Sequence, residues 1–309
     1  AVVAAVEVDG VLRELNLTEY MNFFSSNVSL SSDNAPSKWR DFAFRLERIH
    51  KERKIMEAAP KHPNLLPLLD WAEQINGNEI RVFLVLPLCD SDLLDHLVAE
   101  KPGDAVARRY FADISSAVAE LHRAGIAHRD IKSDNIFVDR DDEGAIRLRL
   151  GDFGAATWTR CEQGSPLPLY ARVGSHMNMA PEVVKQLSAT DVPHPFASAV
   201  GGYCGERADA WSLGVVLFQM LMHVDFWLST PYGYAKMRTA AAPDAGFNAL
   251  KYRSGTLPAD IPVLARPLIL KLLTVEAANR LLVQHALDEP WVAGHSTNDT
   301  NDTIIPNIV

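Results

Sequence analysis

Cysteine is scarce in this 309-residue chain, and Cys89, Cys161 and Cys204 are far apart in the sequence. They form no CxxC pair or other metal-ligand spacing, which excludes the common zinc-binding patterns. An odd and sparse set of cysteines also disfavours a disulfide-stabilised secreted domain. We therefore expect an intracellular, cytoplasmic protein.

Positive charge is also in short supply, with 30 lysine and arginine residues against 39 aspartate and glutamate residues, and a net charge of −9. Nucleic acids and anionic membrane surfaces attract basic proteins, so the composition predicts neither as a partner. No stretch reaches the ~20 apolar residues that a membrane-spanning helix needs. Residues 1–8 are apolar, but they lack the basic start and the length of a signal peptide and are more typical of a strand.

The order of the local patterns indicates two differently built regions. Strand patterns in the first third cover residues 1–8, 65–74 and 80–88, and a helix is predicted from about Lys38 to Ala58. After Pro87 helical patterns dominate, at residues 90–100, 105–123, 208–222 and 261–291. A β-rich first third before a helical remainder predicts an α+β protein of two lobes, with a cleft near residues 86–90.

The segment AHRDIKSDNIFV, residues 127–138, joins a dense set of polar groups to an apolar end. Asp130 can take a proton from a hydroxyl group, Lys132 can neutralise charge on a transferred group, and Asn135 offers an uncharged oxygen ligand for a hard cation. Asp152 follows the next strand, in LRLGDFGAA, where flanking glycines leave room for Mg²⁺. A base, a lysine and two oxygen ligands are the parts that phosphoryl transfer requires.

These segments resemble the eukaryotic-type protein kinases, over about residues 40–292. The matching segments, in chain order, are the catalytic loop IAHRDIKSDNIFV, the triplet DFG at 152–154, MAPEV at 179–183 that ends the activation segment, DAWSLGVVLF at 209–218, and the arginine-containing segment EAANRLLVQHALDEPWV. The resemblance implies a two-lobed kinase fold. The expected divisions are an N-lobe at residues 1–86, a C-lobe at 87–292 and a C-terminal tail at 293–309.

The resemblance also implies the reaction and its cofactors, which are ATP and Mg²⁺. Asp130 would be the base, Lys132 would contact the γ-phosphate, and Asn135 and Asp152 would bind Mg²⁺. The family position of Lys132 is typical of kinases that act on serine and threonine hydroxyls of proteins. Ser175 stands where such kinases carry a hydroxyl that supports the base.

Other positions are assigned structural or adenine-binding roles by the same resemblance. Residues Leu86, Leu88 and Cys89 belong to the hinge that would meet adenine. Glu182 and Arg280 match an ion pair of the large lobe. Asp209 matches the buried aspartate that ties down the catalytic loop, while Asn178 replaces the usual aromatic residue at its position.

Arg129 precedes the predicted base, and in related kinases this arginine often meets a phosphorylated activation segment. The hydroxyl groups available for phosphorylation are those of Thr157, Thr159, Ser165 and Tyr170. The sequence does not choose among them, and constitutive activity is equally open.

The first third matches the kinase pattern poorly. A kinase has a glycine-rich loop and a strand lysine that pairs with a helix glutamate. Here Gly10 is the only glycine before Gly77, and no lysine precedes Lys38, although Glu52 fits the helix glutamate. One interpretation makes residues 1–8 the second strand, with the glycine-rich loop upstream of residue 1 and Arg13 at or near the lysine position. The other is a degenerate small lobe, which would make the chain a pseudokinase that scaffolds or regulates a partner.

Overall fold

A computed structural model of the chain describes residues 2–6, 37–76, 79–140, 144–161, 163–184, 201–223 and 257–294. Arg13, one of the predicted ATP-site residues, lies outside the described residues.

Three strands and one long helix form the first described part of the chain, and helices dominate the last. The strands, in chain order, are β1 (Val2–Val6), β2 (Asp70–Asn76), β3 (Glu79–Leu86), β4 (Ser91–Asp92), β5 (Ile126–Ala127), β6 (Ile136–Arg140), β7 (Ile146–Leu150) and β8 (Thr157–Trp158). The helices are α1 (Ser37–Ala58), α2 (Leu93–Glu100), α3 (Asp104–Arg123), α4 (Pro181–Val184), α5 (Gly205–Met222), α6 (Ala265–Leu272), α7 (Val283–Ala286) and α8 (Pro290–Ala293). Short 3₁₀ turns occupy Ser133–Asn135, Phe153–Ala155 and Ala277–Asn279.

The first sheet is antiparallel and has the order β1-β3-β2. Its central strand β3 pairs with both neighbours, so that Leu86 lies opposite Val2 and Leu84 lies opposite Trp71. Because β3 ends at Leu86, the chain leaves the centre of this sheet directly into the predicted hinge.

The strand predicted at residues 65–74 is wrong in its first half, because β2 begins only at Asp70. Residues 64–66 instead run beside β7, where Leu66 N donates to Leu150 O over 2.8 Å and Leu150 N donates to Asn64 O over 2.9 Å. Pro67 has no N–H group with which to continue that pairing. The apolar run therefore joins the sheet of the catalytic region before β2 begins.

Two long helices, α3 and α5, form the centre of the helical region. Phe111 and Ile114 of α3 and Trp211 and Leu213 of α5 are fully buried. Helix α5 is buried on nearly every side, which explains its almost continuous apolar sequence. Within the described ranges, no helix combines the length and the apolar character needed to cross a membrane.

Two small sheets hold the segments that carry the predicted chemistry. One has the order β4-β6-β7 and the other pairs β5 with β8. Strand β5 ends just before His128, β6 begins just after Asn135, and β7 ends two residues before Asp152. The loop 128–135 and the triplet 152–154 are thus both fixed by strands at their ends.

Candidate active site

The Asp130 carboxylate lies at the centre of the predicted site. Asn135 Nδ2 donates to Asp130 Oδ2 over 3.1 Å and to the Asp130 carbonyl oxygen over 2.9 Å. Ser175 N donates to Asp130 Oδ1 over 2.6 Å, and Lys132 Nζ lies 3.4 Å from Oδ2. The structure therefore gathers donors from the loop itself and from the distant activation segment around one carboxylate.

Lys132 and Ser175 connect the catalytic loop to the activation segment a second time. Lys132 Nζ donates to Ser175 Oγ over 2.8 Å. Gly174, the residue before Ser175, has a φ of +102°, which is readily accessible only to glycine. This backbone geometry presents the Ser175 N–H and hydroxyl to the loop together.

The backbone of the catalytic loop is held from the large helical region by Asp209. Its carboxylate accepts from His128 N over 2.8 Å and from Arg129 N over 2.7 Å. His122 of α3 also contacts the carboxylate, with 2.9 Å between Nε2 and Oδ2. Asp209 is fully buried, so these contacts satisfy a charge that would be costly to leave unpaired in the interior.

His128 packs inside the loop rather than facing a substrate. Its ring is fully buried, 5.2 Å from the ring of Phe153, and Nε2 lies 3.0 Å from Gly151 O. The Nδ1 atom accepts from Asp130 N over 3.3 Å. His128 thereby connects the predicted base to the segment that carries Asp152.

Asp152 and Asn135 fit a magnesium site by their chemistry. Asp152 has a φ of +59°, its side chain is exposed, and its Oδ1 accepts from Gly154 N over 3.2 Å. Since both Asp130 contacts of Asn135 use its amide nitrogen, its Oδ1 atom can serve a cation. A carboxylate and an amide oxygen suit Mg²⁺, which usually keeps several waters and substrate phosphates as its other ligands. Among the described residues, no group of three or more His, Cys, Asp and Glu side chains forms a metal site of its own.

Glu52 lies beside the DFG triplet. A β-carbon built on Gly154 would be 3.4 Å from Glu52 Oε2 and 3.2 Å from Asp152 Oδ1, so the two carboxylates border the same small space. Burial raises the pKa of Glu52 to about 7, with a smaller contribution from Asp152 that Arg48 opposes. The predicted pairing of Glu52 with Arg13 stays a prediction, since Arg13 lies outside the described residues.

The predicted hinge follows β3 without interruption. Leu86 is partly buried at the end of the strand, Leu88 is 64% exposed, and Cys89 is partly buried. Burial raises the pKa of the Cys89 thiol, so this group stays protonated at neutral pH. The following residue, Asp90, donates its N–H to Val138 O over 2.9 Å and so joins the hinge to β6.

The four hydroxyl groups predicted for the activation segment have different environments. Thr157 Oγ1 accepts from Lys51 Nζ over 2.8 Å, and buried Thr159 donates to Glu206 Oε1 over 3.4 Å. Ser165 and Tyr170 are exposed.

Arg129 contacts the activation segment directly. Its Nε donates to Ala155 O over 2.7 Å, and its Nη1 lies 3.5 Å from the Tyr203 hydroxyl. Tyr203 in turn donates to Ala171 O over 2.9 Å. The guanidinium group therefore touches the segment directly at Ala155 and through Tyr203 near Ala171.

Glu182 and Arg280 form a two-pronged ion pair. Arg280 Nη1 and Nη2 donate to the two Glu182 carboxylate oxygens over 2.6 and 2.9 Å. Arg280 also donates to Thr274 O and Arg207 O. Because the Arg280 side chain is fully buried, this network fixes the end of the activation segment to the last helices.

Three contributors were missed by the sequence reasoning: Lys51, His122 and Tyr203. Lys51 immediately precedes Glu52, and this adjacency was the one signal in the sequence that could have identified Lys51. His122 and Tyr203 act through partners about 90 and 75 residues away in the sequence, respectively, and no local pattern indicates either contact.

Comparison with known proteins places the relatives of this chain among the protein kinases. The protein kinase domain family matches residues 31–292. The chain is 30% identical over 247 residues, 80% of its length, to CBL-interacting protein kinase 16 of Oryza sativa subsp. japonica, covering 46% of that protein. It is 30% identical over 260 residues to calcium-dependent protein kinase 32 of Arabidopsis thaliana, covering 82% of this chain and 41% of the relative.

A third relative is serine/threonine-protein kinase CHK1 of Saccharomyces cerevisiae, 34% identical over 182 residues, with 58% of this chain and 31% of the relative covered. The chain thus spans about a third to a half of the length of these relatives. The predicted α+β, two-lobed fold is confirmed, and the chain belongs to the protein kinase domain family.

Proposed function

We propose that this chain is a protein serine/threonine kinase, which transfers the γ-phosphoryl group of ATP to serine or threonine hydroxyls of protein substrates. The observation that carries the proposal is the arrangement of Asp130, Lys132 and Ser175. These residues bring a carboxylate, an ammonium group and the activation segment within hydrogen-bond reach of one another. The names of the relatives above, which are protein kinases, support the same reaction class.

In the proposed reaction, Asp130 accepts the proton of the acceptor hydroxyl as its oxygen attacks the γ-phosphorus. The bond from the γ-phosphorus to the bridging oxygen breaks, and ADP leaves. Lys132 lies close enough to Asp130 to stabilise the negative charge on the transferred group. Asp152 and Asn135 would hold Mg²⁺, which neutralises charge on the phosphates.

We further propose that residues 1–86 form the N-lobe, 87–292 the C-lobe and 293–309 a C-terminal tail. Leu86, Leu88 and Cys89 would meet adenine at the junction of the lobes. Glu52 would border the phosphate side of the cleft, because its carboxylate lies beside that of Asp152. Ser165 and Tyr170 are the activation-segment hydroxyls that a second kinase can reach, because both are exposed whereas Thr159 is buried.

The test compares the full chain with its Asp130→Asn variant in a phosphoryl-transfer assay with MgATP and a serine-containing peptide mixture. Loss of a general base costs on the order of 10²–10⁴-fold in rate, and we expect a loss in this range. Asp134→Asn is the matched control, since Asp134 is exposed in the same loop and should keep wild-type activity. Activity that survives Asp130→Asn would overturn the mechanism. Absence of MgATP binding by the wild-type chain would favour a pseudokinase that acts as a scaffold.

A further inference from the structure

A hydrogen bond connects α1 with the strand that follows the DFG triplet. Lys51 Nζ donates to Thr157 Oγ1 over 2.8 Å, across 106 positions of sequence, and both side chains are partly buried. A bond between an ammonium group and a neutral hydroxyl is directional and stronger than a bond between two neutral groups. It therefore restrains the distance between its two elements, which apolar packing alone would restrain less tightly.

At its helix end, the bond lies next to Glu52. Glu52 directs its carboxylate to the space that Asp152 also borders. Ile55, one turn further along α1, is fully buried and anchors the same part of the helix in the core. A shift of α1 at Lys51 would thus move Glu52 relative to the predicted magnesium ligand.

At its other end, the bond lies against the catalytic loop. Thr157 of β8 pairs with Ala127 of β5, and His128 and Arg129 follow Ala127 directly. Arg129 also donates to Ala155 O, two residues before Thr157. The segment 155–157 is therefore in contact with the catalytic loop on one side and with α1 on the other.

The position of Lys51 is electrostatically unfavourable without a partner. Burial lowers the pKa of Lys51, and the positive charge of Arg129 lowers it further, while Glu47 on the preceding turn opposes both effects. The Thr157 hydroxyl supplies the hydrogen-bond acceptor that compensates part of this cost. The contact thus joins a partly buried ammonium group to a partly buried acceptor.

We propose that Lys51 and Thr157 are positioning residues for the transfer reaction, whose hydrogen bond holds the Glu52 helix in register with the segment that begins at Asp152. This inference rests on the proposed kinase activity and deepens it. Neither residue touches substrate. Both act through the placement of Glu52 and Asp152.

The test removes the bond from each end without changing side-chain volume greatly. Thr157→Val keeps a β-branched residue suited to a strand, and Lys51→Met keeps a long apolar stem. We expect each variant to lower kcat roughly tenfold, the scale of one charge-assisted hydrogen bond, and to leave the KM for the peptide substrate unchanged. The double variant should be no slower than either single variant, because both remove the same interaction.

Two further variants separate positioning from a general structural effect. Thr157→Ser retains the hydroxyl and should restore kcat to within about twofold of wild type. Lys54→Met is the matched control, because Lys54 is exposed on the same helix, and it should keep wild-type kinetics. Wild-type kcat in both Thr157→Val and Lys51→Met would overturn the inference, and so would an equal loss in Lys54→Met.

Amide hydrogen exchange tests the connection independently of catalysis. In the full chain, Thr157→Val should speed exchange in residues 47–58 and in residues 152–158 together, with an unchanged midpoint of global unfolding. If the wild-type chain transfers no phosphoryl group, the proposed function fails, and exchange still decides this inference. Unchanged exchange in residues 47–58 would overturn the connection, and coupled acceleration would support it.

Discussion

At the scale of single residues, Gly174 brings the activation segment up against the catalytic loop. A β-carbon on Gly174 would lie 2.3 Å from Arg129 O, far inside contact distance. We predict that Gly174→Ala moves Ser175 away from Asp130 and Lys132 and lowers kcat/KM at least tenfold, a change worth about 1.4 kcal/mol of transition-state stabilisation. Steady-state kinetics with MgATP and peptide measure this change.

Gly164→Ala is the matched control for backbone strain. Gly164 also has a positive φ, +80°, and lies in the same segment, but nothing lies within 4 Å of its β-carbon position. Gly164→Ala should show the cost of a positive φ at a residue other than glycine, without any displacement of Ser175. Equal activities of Gly164→Ala and Gly174→Ala would contradict the explanation by steric contact.

His62 gives the chain a predicted loss of stability in acid. Its Nδ1 accepts from Asn64 N over 3.1 Å, and burial lowers its pKa against the opposing charges of Glu120 and Asp113. With a lowered pKa, the folded state binds the proton less readily than the unfolded state does, so unfolding becomes easier as pH falls below the ordinary value of 6.5. The raised pKa of Glu52 acts in the opposite sense over this range, so the prediction concerns the difference between two proteins. In urea denaturation, the unfolding free energy of wild type should fall relative to that of His62→Gln between about pH 8 and pH 5.

His285→Gln is the control for this pH dependence. His285 is exposed, and its replacement should keep the wild-type pH dependence of the unfolding free energy. A His62→Gln variant with the same pH dependence as wild type would show that His62 does not contribute to it.

At the scale of elements, the Glu182–Arg280 pair joins α4 to the segment before α7. Glu182→Ala leaves the buried Arg280 charge without its carboxylate. Breaking a buried pair in this way costs about 3–5 kcal/mol, so we predict a loss of that size in the free energy of unfolding. Chemical denaturation with a fitted transition slope measures it.

The exposed pair Arg53–Glu57 provides the comparison. Its charged groups are 3.6 Å apart, and the Glu57 side chain is 45% exposed. Glu57→Ala should change the unfolding free energy by only about 0.5 kcal/mol or less. Similar losses in Glu57→Ala and Glu182→Ala would mean that the burial of Arg280 does not determine the energy of the pair.

The sequence allowed the catalytic segments to be predicted because their chemistry is local. Asp130, Lys132 and Asn135 lie within six residues, and the strand that follows them was visible in the apolar end of the segment. The beginning of β2 was misplaced because residues 64–66 pair with β7, and a periodic apolar pattern does not name its partner strand.

The bond between Lys51 and Thr157 could not be predicted for a related reason. Lys51 adjoins Glu52, and Thr157 is one of the predicted activation-segment hydroxyls, but nothing in the sequence pairs the two residues, because their contact depends on how α1 packs against the chain about 100 residues later. Long-range side-chain contacts of this kind follow from tertiary packing and leave no local pattern.

At the scale of the whole molecule, MgATP should stabilise the folded chain by binding only to it. A ligand present at 100 times its Kd adds about 2.7 kcal/mol to the unfolding free energy. We therefore predict a higher unfolding temperature with MgATP than with ATP and a chelator. Asp152→Asn should abolish this difference, whereas Asp134→Asn should retain it, and thermal denaturation of the full chain measures both.

A chelator-insensitive shift in the wild-type chain would contradict the assignment of Asp152 as a magnesium ligand. It would still be compatible with nucleotide binding at the hinge. The two variants thus separate metal binding from nucleotide binding in the intact protein.

The contacts of Asp209 have a consequence for the order in which the active site is assembled during synthesis. The ribosome makes the catalytic loop about 80 residues before it makes the carboxylate that holds the N–H groups of His128 and Arg129. A nascent chain that ends before α5 therefore contains Asp130, Lys132 and Asn135 but lacks the carboxylate that accepts from the N–H groups of His128 and Arg129. The Asp209 contacts with the catalytic loop and with His122 of α3 thus form only after α5 has been made.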